Sequence, residues 1–319
     1  MSAGSRCEAG LPVGRKGGVS DRLLVSERRR RAAPAGLAGF ARPRLTRRRL
    51  RHYLTYVVLV AVCFVWVYPI LWMFASSFKT LGEFFSGLGL VPAHPNFDNY
   101  AQAWQQANIG PDFVNSVIVS ISGVVIVLFV SSSMGYVLGR YRFPGRGIIF
   151  AILGALVFIP QTYTIIPIFD LITNMHLDGN LFGIILAESG SAHIIIILLF
   201  AGYFARLPHE LEEAAVIDGA GFVRVFFTIM LPLARPVIAT GIILQFIASW
   251  NDFLIPLVLT LSQPALRTVA VGVYFLQGVN QVNWPELSAA ASISLLPVII
   301  VFLLMQRYFV EGISAAVKQ

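Results

Sequence analysis

The chain carries the stretch Glu213-Ala214-Ala215-Val216-Ile217-Asp218-Gly219, followed after nine residues by Ile229-Met230-Leu231-Pro232. The stretch is polar at its start, and apolar runs long enough to cross a membrane lie on either side of it. This arrangement is typical of a loop that runs along a membrane face and joins two spans. The stretch therefore points to a polytopic membrane protein with a patterned polar loop.

The residues of this loop predict two short helices separated by a turn. Pro208 suits a first helical turn, where no backbone N–H is needed. Glu213 follows in the first turns, where a carboxylate offsets the positive end of the helix dipole. Gly219 predicts the turn, since glycine accepts a positive φ. A second amphipathic segment runs from 222 to 230, and Pro232 then begins the return to the membrane.

The composition excludes a soluble domain. The chain has 319 residues, of which 56% are hydrophobic and only 13% are charged, and its mean hydropathy is +0.74. A soluble domain carries about 25% charged residues. We therefore expect an all-α polytopic membrane protein.

The sequence lacks the signatures of a phosphate-binding loop, a metal site and a disulfide framework. None of the lysines, Lys16, Lys79 and Lys318, follows a glycine, so the Gly-Lys pair of a phosphate-binding loop is absent. Cys7 and Cys63 are too few for a metal site or a disulfide framework, and the five histidines are scattered. We expect no metal and no catalytic residue, and any ATP-driven work needs a partner that binds ATP.

Six apolar segments are near or above the ~20 residues that a membrane-spanning helix needs. They lie at about 54–77, 112–138, 148–170, 181–205, 236–259 and 288–308. Residues 53–319 are therefore expected to form one six-helix membrane domain. The patterned loop, at about 206–235, lies between the fourth and fifth segments.

Arginine and lysine predict the orientation, because cytoplasmic loops carry an excess of both. With the N-terminus inside, 22 of the 24 basic residues fall on the inner side, and only Lys79 and Arg267 fall outside. Without the N-terminal tail the split is still 8 to 2. We expect both termini and the 206–235 loop to be cytoplasmic.

Residues 1–52 form a separate region rich in Arg, Gly, Ala and Pro. Fourteen basic residues lie before Tyr53, and no apolar run is long enough for a signal-peptide core. This composition predicts a disordered cytoplasmic tail whose arginines lie near acidic lipids. A regulatory contact of the tail and a start codon further downstream both stay open.

Polar residues occur inside the third and fourth predicted spans. We expect Pro160 and Pro167 to break the third span around Gln161 and Tyr163, because prolines in a span free backbone carbonyls. Glu188 lies near the outer end of the fourth span. Ionisable or polar groups at such depth face other protein or water, so these residues are candidates for a substrate pathway. An interfacial position is the alternative for Glu188.

The fifth span presents a polar face. Gln245, Ser249 and Asp252 are spaced by four and three residues, which puts them on one side of a helix, and Asn251 is adjacent. These four residues are further candidates for the substrate pathway. Buried polar groups that hold helices together are the alternative.

Four features resemble the permease subunits of ABC importers. The loop matches their Glu-Ala-Ala pattern, which continues with three residues, Gly, nine residues and Ile-x-Leu-Pro. Phe97–Tyr100 resembles the F-x-N-Y of carbohydrate permeases, and Ser249–Pro256 resembles their W-N-D-F-L-x-P. The segment from Gln306 resembles the family tail, although Gln319 replaces its last glycine. The resemblance covers about 53–319.

The resemblance implies the type I ABC importer permease fold of the maltose-permease kind, in a bacterial inner membrane. It implies a second, different permease, an ATPase dimer on the cytoplasmic side and an external substrate-binding protein, with no nucleic acid. ATP and Mg would be bound by the ATPase and no cofactor by this chain. The cargo would be a sugar or an oligosaccharide.

The resemblance also implies which residues couple transport to the ATPase. These are Glu212, Glu213, Ala214, Ala215, Asp218, Gly219, Ile229, Leu231 and Pro232. The alternative for the loop is an ordinary connector between two spans. The alternative for the whole chain is a stand-alone secondary transporter or channel for a small polar solute, although no inverted repeat is evident.

Overall fold

The structure, a computed structural model, describes residues 47–190, 193–277 and 282–317. Most of the predicted tail, residues 1–46, lies outside the described residues. The chain divides into two compact units, Met1–Val60 and Ala61–Gln319. Of the first unit the structure describes only residues 47–60, which are helical.

All regular structure in the described ranges is helical. The α-helices are α1 (Arg47–Ser76), α2 (Leu81–Phe85), α3 (Asp98–Gln106), α4 (Ile109–Arg140), α5 (Arg146–Leu156), α6 (Ile165–Asn174), α7 (Leu181–Gly190), α8 (Ile194–Phe204), α9 (Glu210–Ile217), α10 (Phe222–Val225), α11 (Leu231–Leu233), α12 (Arg235–Trp250), α13 (Leu254–Thr260), α14 (Val269–Phe275) and α15 (Trp284–Val317). Short 3₁₀ turns occupy Gln161–Thr164 and Pro264–Leu266, and a π-helix occupies Phe226–Met230.

Within the described ranges, three helices are long and apolar enough to cross a membrane: Arg51–Ser76 of α1, α4, and Trp284–Arg307 of α15. Two bent pairs raise the number to five, namely α7 with α8, at 56°, and Phe222–Leu233 with α12, at 78°. The all-helical architecture is confirmed, and α5 is a shorter apolar helix within the third predicted span.

Two of the predicted spans are interrupted. The segment 148–170 is not one helix, because α5 ends at Leu156 and regular α-helix resumes only at Ile165. Pro160 lies in this break. Proline has no backbone N–H, so it would cost a continuous helix one hydrogen bond, whereas in the break no such bond is needed. The segment 236–259 is divided between α12 and α13, and Asp252 Oδ1 accepts a hydrogen bond of 3.1 Å from the Leu254 N–H at the start of α13.

Helix α4 is the central element of the second unit, because it packs against α7, α8 and α12. Its close approach to α8 depends on Gly135 and Gly139. A Cβ at Gly139 would lie 2.5 Å from the carbonyl oxygen of Ala201, and a Cβ at Gly135 would overlap the Cβ of Phe200. Small residues at such a crossing let the two backbones come together, as is common in membrane helices.

The motif Phe97–Tyr100 has a structural role near the end of α1. The buried Asn99 amide donates hydrogen bonds to the carbonyl oxygens of Ser77, at 2.8 Å, and Lys79, at 2.9 Å. The Tyr100 hydroxyl lies 2.8 Å from that of Ser77. These bonds satisfy two backbone carbonyls of the turn that begins directly after α1 ends at Ser76. They fix the turn that follows the helix.

Candidate functional site

The patterned loop folds as the sequence predicts, with α9 followed by a tight turn. The turn is a Schellman motif, in which Ala220 N–H donates to Ala215 O at 2.9 Å and Gly219 N–H donates to Val216 O at 3.0 Å. Gly219 has a φ of +80°, which confirms the predicted positive value. Glycine is favoured here because a Cβ is disfavoured in this region of φ.

The second half of the loop is packed more tightly than the sequence indicates. After α10 the chain widens into the π-helix Phe226–Met230 before α11. Phe226 and Met230 are buried in one apolar cluster with Tyr136 of α4 and Phe204 of α8, and Ala215 of α9 belongs to the same cluster. The loop is therefore attached to the ends of two membrane helices rather than suspended between them.

The face of the loop that points away from this cluster is exposed. Glu213 and Ala214 are exposed, and Ile217 shows 85% of its surface. A groove of about 450 Å³ runs along α9 and α10. Its described lining is Glu210, Leu211, Ala214, Ala215, Asp218, Ala220, Arg224, Thr228 and Ile229. Small side chains, an apolar tip and a groove together form a surface to which another protein can dock.

Glu212 is turned inward instead. Its carboxylate accepts a hydrogen bond from Arg140 Nε at 2.9 Å and one from the Tyr136 hydroxyl at 2.7 Å. Arg140 Nη2 also lies 2.9 Å from Glu212 Oε2, so the two side chains form an ion pair. The Arg140 side chain is only 1% exposed and that of Glu212 is 16% exposed. Glu212 therefore ties α9 to α4.

Arg140 holds the connection between α8 and α9 as well. Its guanidinium donates to the carbonyl oxygens of Leu207, at 2.6 Å, and Pro208, at 3.0 Å. These carbonyls belong to the segment between the two helices, so one side chain holds both this segment and, through Glu212, the first turn of α9. In the sequence Arg140 is only one of the positive charges predicted for the inner side, and no local pattern indicates this role.

Of the other loop residues predicted for coupling, Leu231 and Ile229 are partly buried against the apolar cluster. Pro232 and Asp218 are exposed, and Asp218 lines the groove with Ile229. The structure thus divides the predicted residues into an exposed set, an internal anchor at Glu212, and a set packed against the apolar cluster.

A second candidate site is a cavity of about 350 Å³ between helices of the second unit. Its described lining is Thr162, Ile165, Glu188, His193, Gln245, Ala248, Ser249, Asp252, Leu254 and Ile255. Four of the residues predicted for the substrate pathway are therefore brought together, although Glu188 comes from α7 and Gln245 and Ser249 come from α12.

The polar groups of this cavity are incompletely paired. The Ser249 hydroxyl donates to Glu188 Oε2, while Glu188 Oε1 and Gln245 Oε1 are buried without a hydrogen-bond partner. Glu188 is 4% exposed and Gln245 is 1% exposed. His193 Nε2 donates to the main-chain oxygen of Glu188 at 2.9 Å. Buried acceptors without partners are costly unless a ligand or water satisfies them.

The remaining predicted pathway residues are not among the described lining of the cavity. The side chain of Gln161 lies outside the described residues. Tyr163 is 78% exposed, and the Asn251 amide donates to the Ile247 carbonyl oxygen at 2.8 Å on its own helix. A pathway role for these three residues stays a prediction.

The sequence from 131 to 315 matches the family described as "Binding-protein-dependent transport system inner membrane component". The chain is 36% identical to the diacetylchitobiose uptake system permease protein NgcG of Streptomyces coelicolor, over 82% of this chain and 87% of that protein. It is 33% identical to the arabinooligosaccharides transport system permease protein AraQ of Bacillus subtilis, over 78% of this chain and 89% of that protein.

A solved structure has the same fold. It is titled as the crystal structure of a bacterial ABC transporter involved in the import of the acidic polysaccharide alginate. One of its chains superposes with a TM-score of 0.70 and 25% sequence identity, over 82% of this chain and 97% of that one.

Proposed function

Because this chain belongs to the family of inner membrane components of binding-protein-dependent transport systems, we propose that it is the permease subunit of an ATP-driven importer of a sugar or an oligosaccharide. The chain is a transporter component of the type I ABC permease fold. The proposed cargo is supported by relatives named for the uptake of diacetylchitobiose and of arabinooligosaccharides.

The proposed assembly contains this chain, a second and different permease, two ATPase subunits on the cytoplasmic side and an external substrate-binding protein. ATP and Mg are bound by the ATPase, since this sequence lacks the Gly-Lys pair of a phosphate-binding loop. The apolar surface of α1 supports further helix contacts, because its membrane-crossing window is 0% buried within this chain. That surface faces lipid or the second permease.

The proposed orientation of the chain in the membrane rests on its arginine and lysine residues. The distribution of positive residues supports a cytoplasmic position for both termini and for the loop at 206–235, where an ATPase can reach the loop. Glu213, Ala214 and Ile217 then belong to the exposed surface that the ATPase contacts. Glu212 serves as a positioning residue, because its carboxylate is already bound to Arg140 and Tyr136.

The mechanism proposed for the loop is that of a lever with a fixed attachment. The ion pair with Arg140 joins α9 to α4, and the cluster around Phe226 and Met230 joins the rest of the loop to α4 and α8. A movement of α9 imposed by the ATPase dimer is therefore transmitted to these membrane helices. The two permeases alternate between inward-facing and outward-facing arrangements, and no residue of this chain takes part in ATP hydrolysis.

The observation that carries this proposal is the exposed, small-residue face of α9 beside a groove, on a loop that is packed against two membrane helices. Reconstitution of the permease pair with the binding protein, with and without the ATPase subunit, tests it. We expect saccharide uptake only when the ATPase and ATP are both present. Uptake by this chain without any ATPase would instead support a stand-alone transporter.

A further inference from the structure

The cavity beside α7 and α12 contains an excess of hydrogen-bond acceptors. Glu188 Oε1 and Gln245 Oε1 are buried and unpaired, and both residues line the cavity. Asp252 adds a second carboxylate, of which one oxygen accepts the Leu254 N–H. The ligand that satisfies these acceptors must bring donors, and hydroxyl and ammonium groups are donors of that kind.

The cavity also lacks a permanent positive charge. The second to fifth predicted spans, 112–138, 148–170, 181–205 and 236–259, contain no lysine and no arginine. Among the described lining residues only His193 can become cationic, and its Nε2 is bound to the main-chain oxygen of Glu188. A carboxylate, sulfate or phosphate entering the cavity would face two carboxyl groups with no fixed cation from this chain to pair with it.

From these two observations we infer that the cavity takes neutral, hydroxyl-rich saccharides and excludes anionic ones. The inference rests on the proposed import function and narrows its substrate class. Ligand hydroxyls donate to Glu188 Oε1 and Gln245 Oε1, and carboxyl oxygens accept such bonds whether or not the carboxyl group is protonated. This chain therefore differs in selectivity from the structurally similar transporter named for acidic alginate.

Thiol labelling of the full chain in nanodiscs tests the inference without any transport assay. Cys7 and Cys63 are replaced by alanine, and Ala248→Cys places one thiol in the cavity lining at an exposed position. Ala93→Cys, on an exposed loop, serves as the reference thiol. Each protein is treated with three methanethiosulfonates that differ only in the end group: hydroxyethyl, aminoethyl and sulfonatoethyl.

We expect the neutral hydroxyethyl reagent to label both thiols at similar rates. At each thiol, the labelling rate of the anionic reagent is divided by that of the neutral reagent. This ratio should be at least tenfold smaller at residue 248 than at residue 93. Glu188→Gln and Asp252→Asn together should remove most of this discrimination, whereas Glu286→Gln, which changes a buried glutamate outside the cavity lining, should not.

An anionic reagent that reacts at residue 248 as readily as at the reference thiol would overturn the inference. Failure of all three reagents to label residue 248 would also overturn it, because the cavity would then admit no ligand. If Ala248→Cys does not fold, Thr162→Cys offers a second thiol in the same lining. ATP-independent uptake would contradict the proposed function but would leave these rate ratios unchanged, so the two failures are distinguishable.

Discussion

The ion pair between Arg140 and Glu212 gives the sharpest prediction about the loop. Glu212→Gln keeps the shape of the side chain but removes the negative charge next to a guanidinium that is 1% exposed. Hydrogen bonds to charged groups contribute about 1.5–3 kcal/mol each, and breaking a buried pair costs about 3–5 kcal/mol. Arg140 retains its bonds to the carbonyl oxygens of Leu207 and Pro208, which reduces the loss.

We therefore expect Glu212→Gln to weaken the attachment of α9 by about 2–3 kcal/mol, at the lower end of those figures. This corresponds to roughly 30- to 150-fold in the equilibrium between the attached and detached helix. Hydrogen exchange measured by mass spectrometry over 207–220 in the purified permease reads this local opening directly. The membrane helices should keep their protection, because their packing does not depend on this pair.

Glu213→Gln is the matched control. This variant removes the same charge one residue further along α9, from an exposed side chain. Surface substitutions of this kind usually change stability by less than about 0.5 kcal/mol, so exchange over 207–220 should stay nearly unchanged. Equal exchange over 207–220 in the two variants would refute the positioning role of Glu212. Arg140→Met should weaken the attachment of α9 more than Glu212→Gln does, because it also removes the bonds to the carbonyl oxygens of Leu207 and Pro208. Adding Glu212→Gln to Arg140→Met should change little further, since the two residues act as one pair.

Three further predictions address other parts of the chain. Deletion of residues 2–45 should leave membrane insertion and transport nearly intact, because that composition cannot bury enough apolar surface to order itself; loss of transport in a deletion that still reaches the membrane would disprove this. Asp252→Leu should impair uptake or change substrate preference without harming assembly with the ATPase, and unchanged kinetics for several substrates would contradict the pathway role. Gly139→Val should lower the free energy of unfolding of the purified permease by more than about 2 kcal/mol, because its Cβ meets the Ala201 carbonyl oxygen. Gly154→Ala should leave this free energy nearly unchanged, because the space around its Cβ is open.

Local features of the loop could be predicted from the sequence because they depend on neighbouring residues. A glycine after Asp218 specifies a positive φ, and the spacing of Gln245 and Ser249 specifies one face of α12. In these cases the chemistry of a few adjacent residues determines the geometry. Asp252 lies beyond the end of that helix, so the prediction that it shares the helical face was wrong, although it lines the same cavity.

Contacts between distant residues could not be predicted in the same way. Arg140 and Glu212 are 72 residues apart, and Glu188 and Ser249 are 61 residues apart. In a hydropathy pattern Arg140 is only a positive charge on the inner side of the membrane. Its function as an anchor follows from the crossing of α4 and α8 at Gly135 and Gly139, which brings the end of α4 beside the loop.

The exact ends of the interrupted helices could not be predicted for a different reason. Apolar residues continue on both sides of Pro160 and of the end of α12, so a hydropathy window runs over both breaks. Pro160 and Pro167 indicate the break in the third span, but nothing in the sequence fixes where the helices end. In the structure α5 ends at Leu156 and α12 ends at Trp250. Helix ends depend on the tertiary contacts that compete with propensity.

The central claim is that the loop at 208–226 couples the ATPase to the membrane helices, and Gly219 tests it most directly. Gly219→Val puts a Cβ at a φ of +80°, where it costs about 1–2 kcal/mol, while Gly221→Val puts the same side chain at a φ of −75°. Neither new Cβ has a neighbour within 4 Å, so the two variants differ in backbone strain and not in crowding.

The measurement is the rate of ATP-dependent saccharide uptake by proteoliposomes that contain the complete importer, together with the amount of ATPase that purifies with it. We expect Gly219→Val to insert and to pair with the second permease but to lose stimulated ATP hydrolysis and uptake, and Glu213→Lys to do the same through the exposed face of α9. Gly221→Val should remain coupled. Full coupling in both Gly219→Val and Glu213→Lys would contradict the account and show that the loop is only a connector.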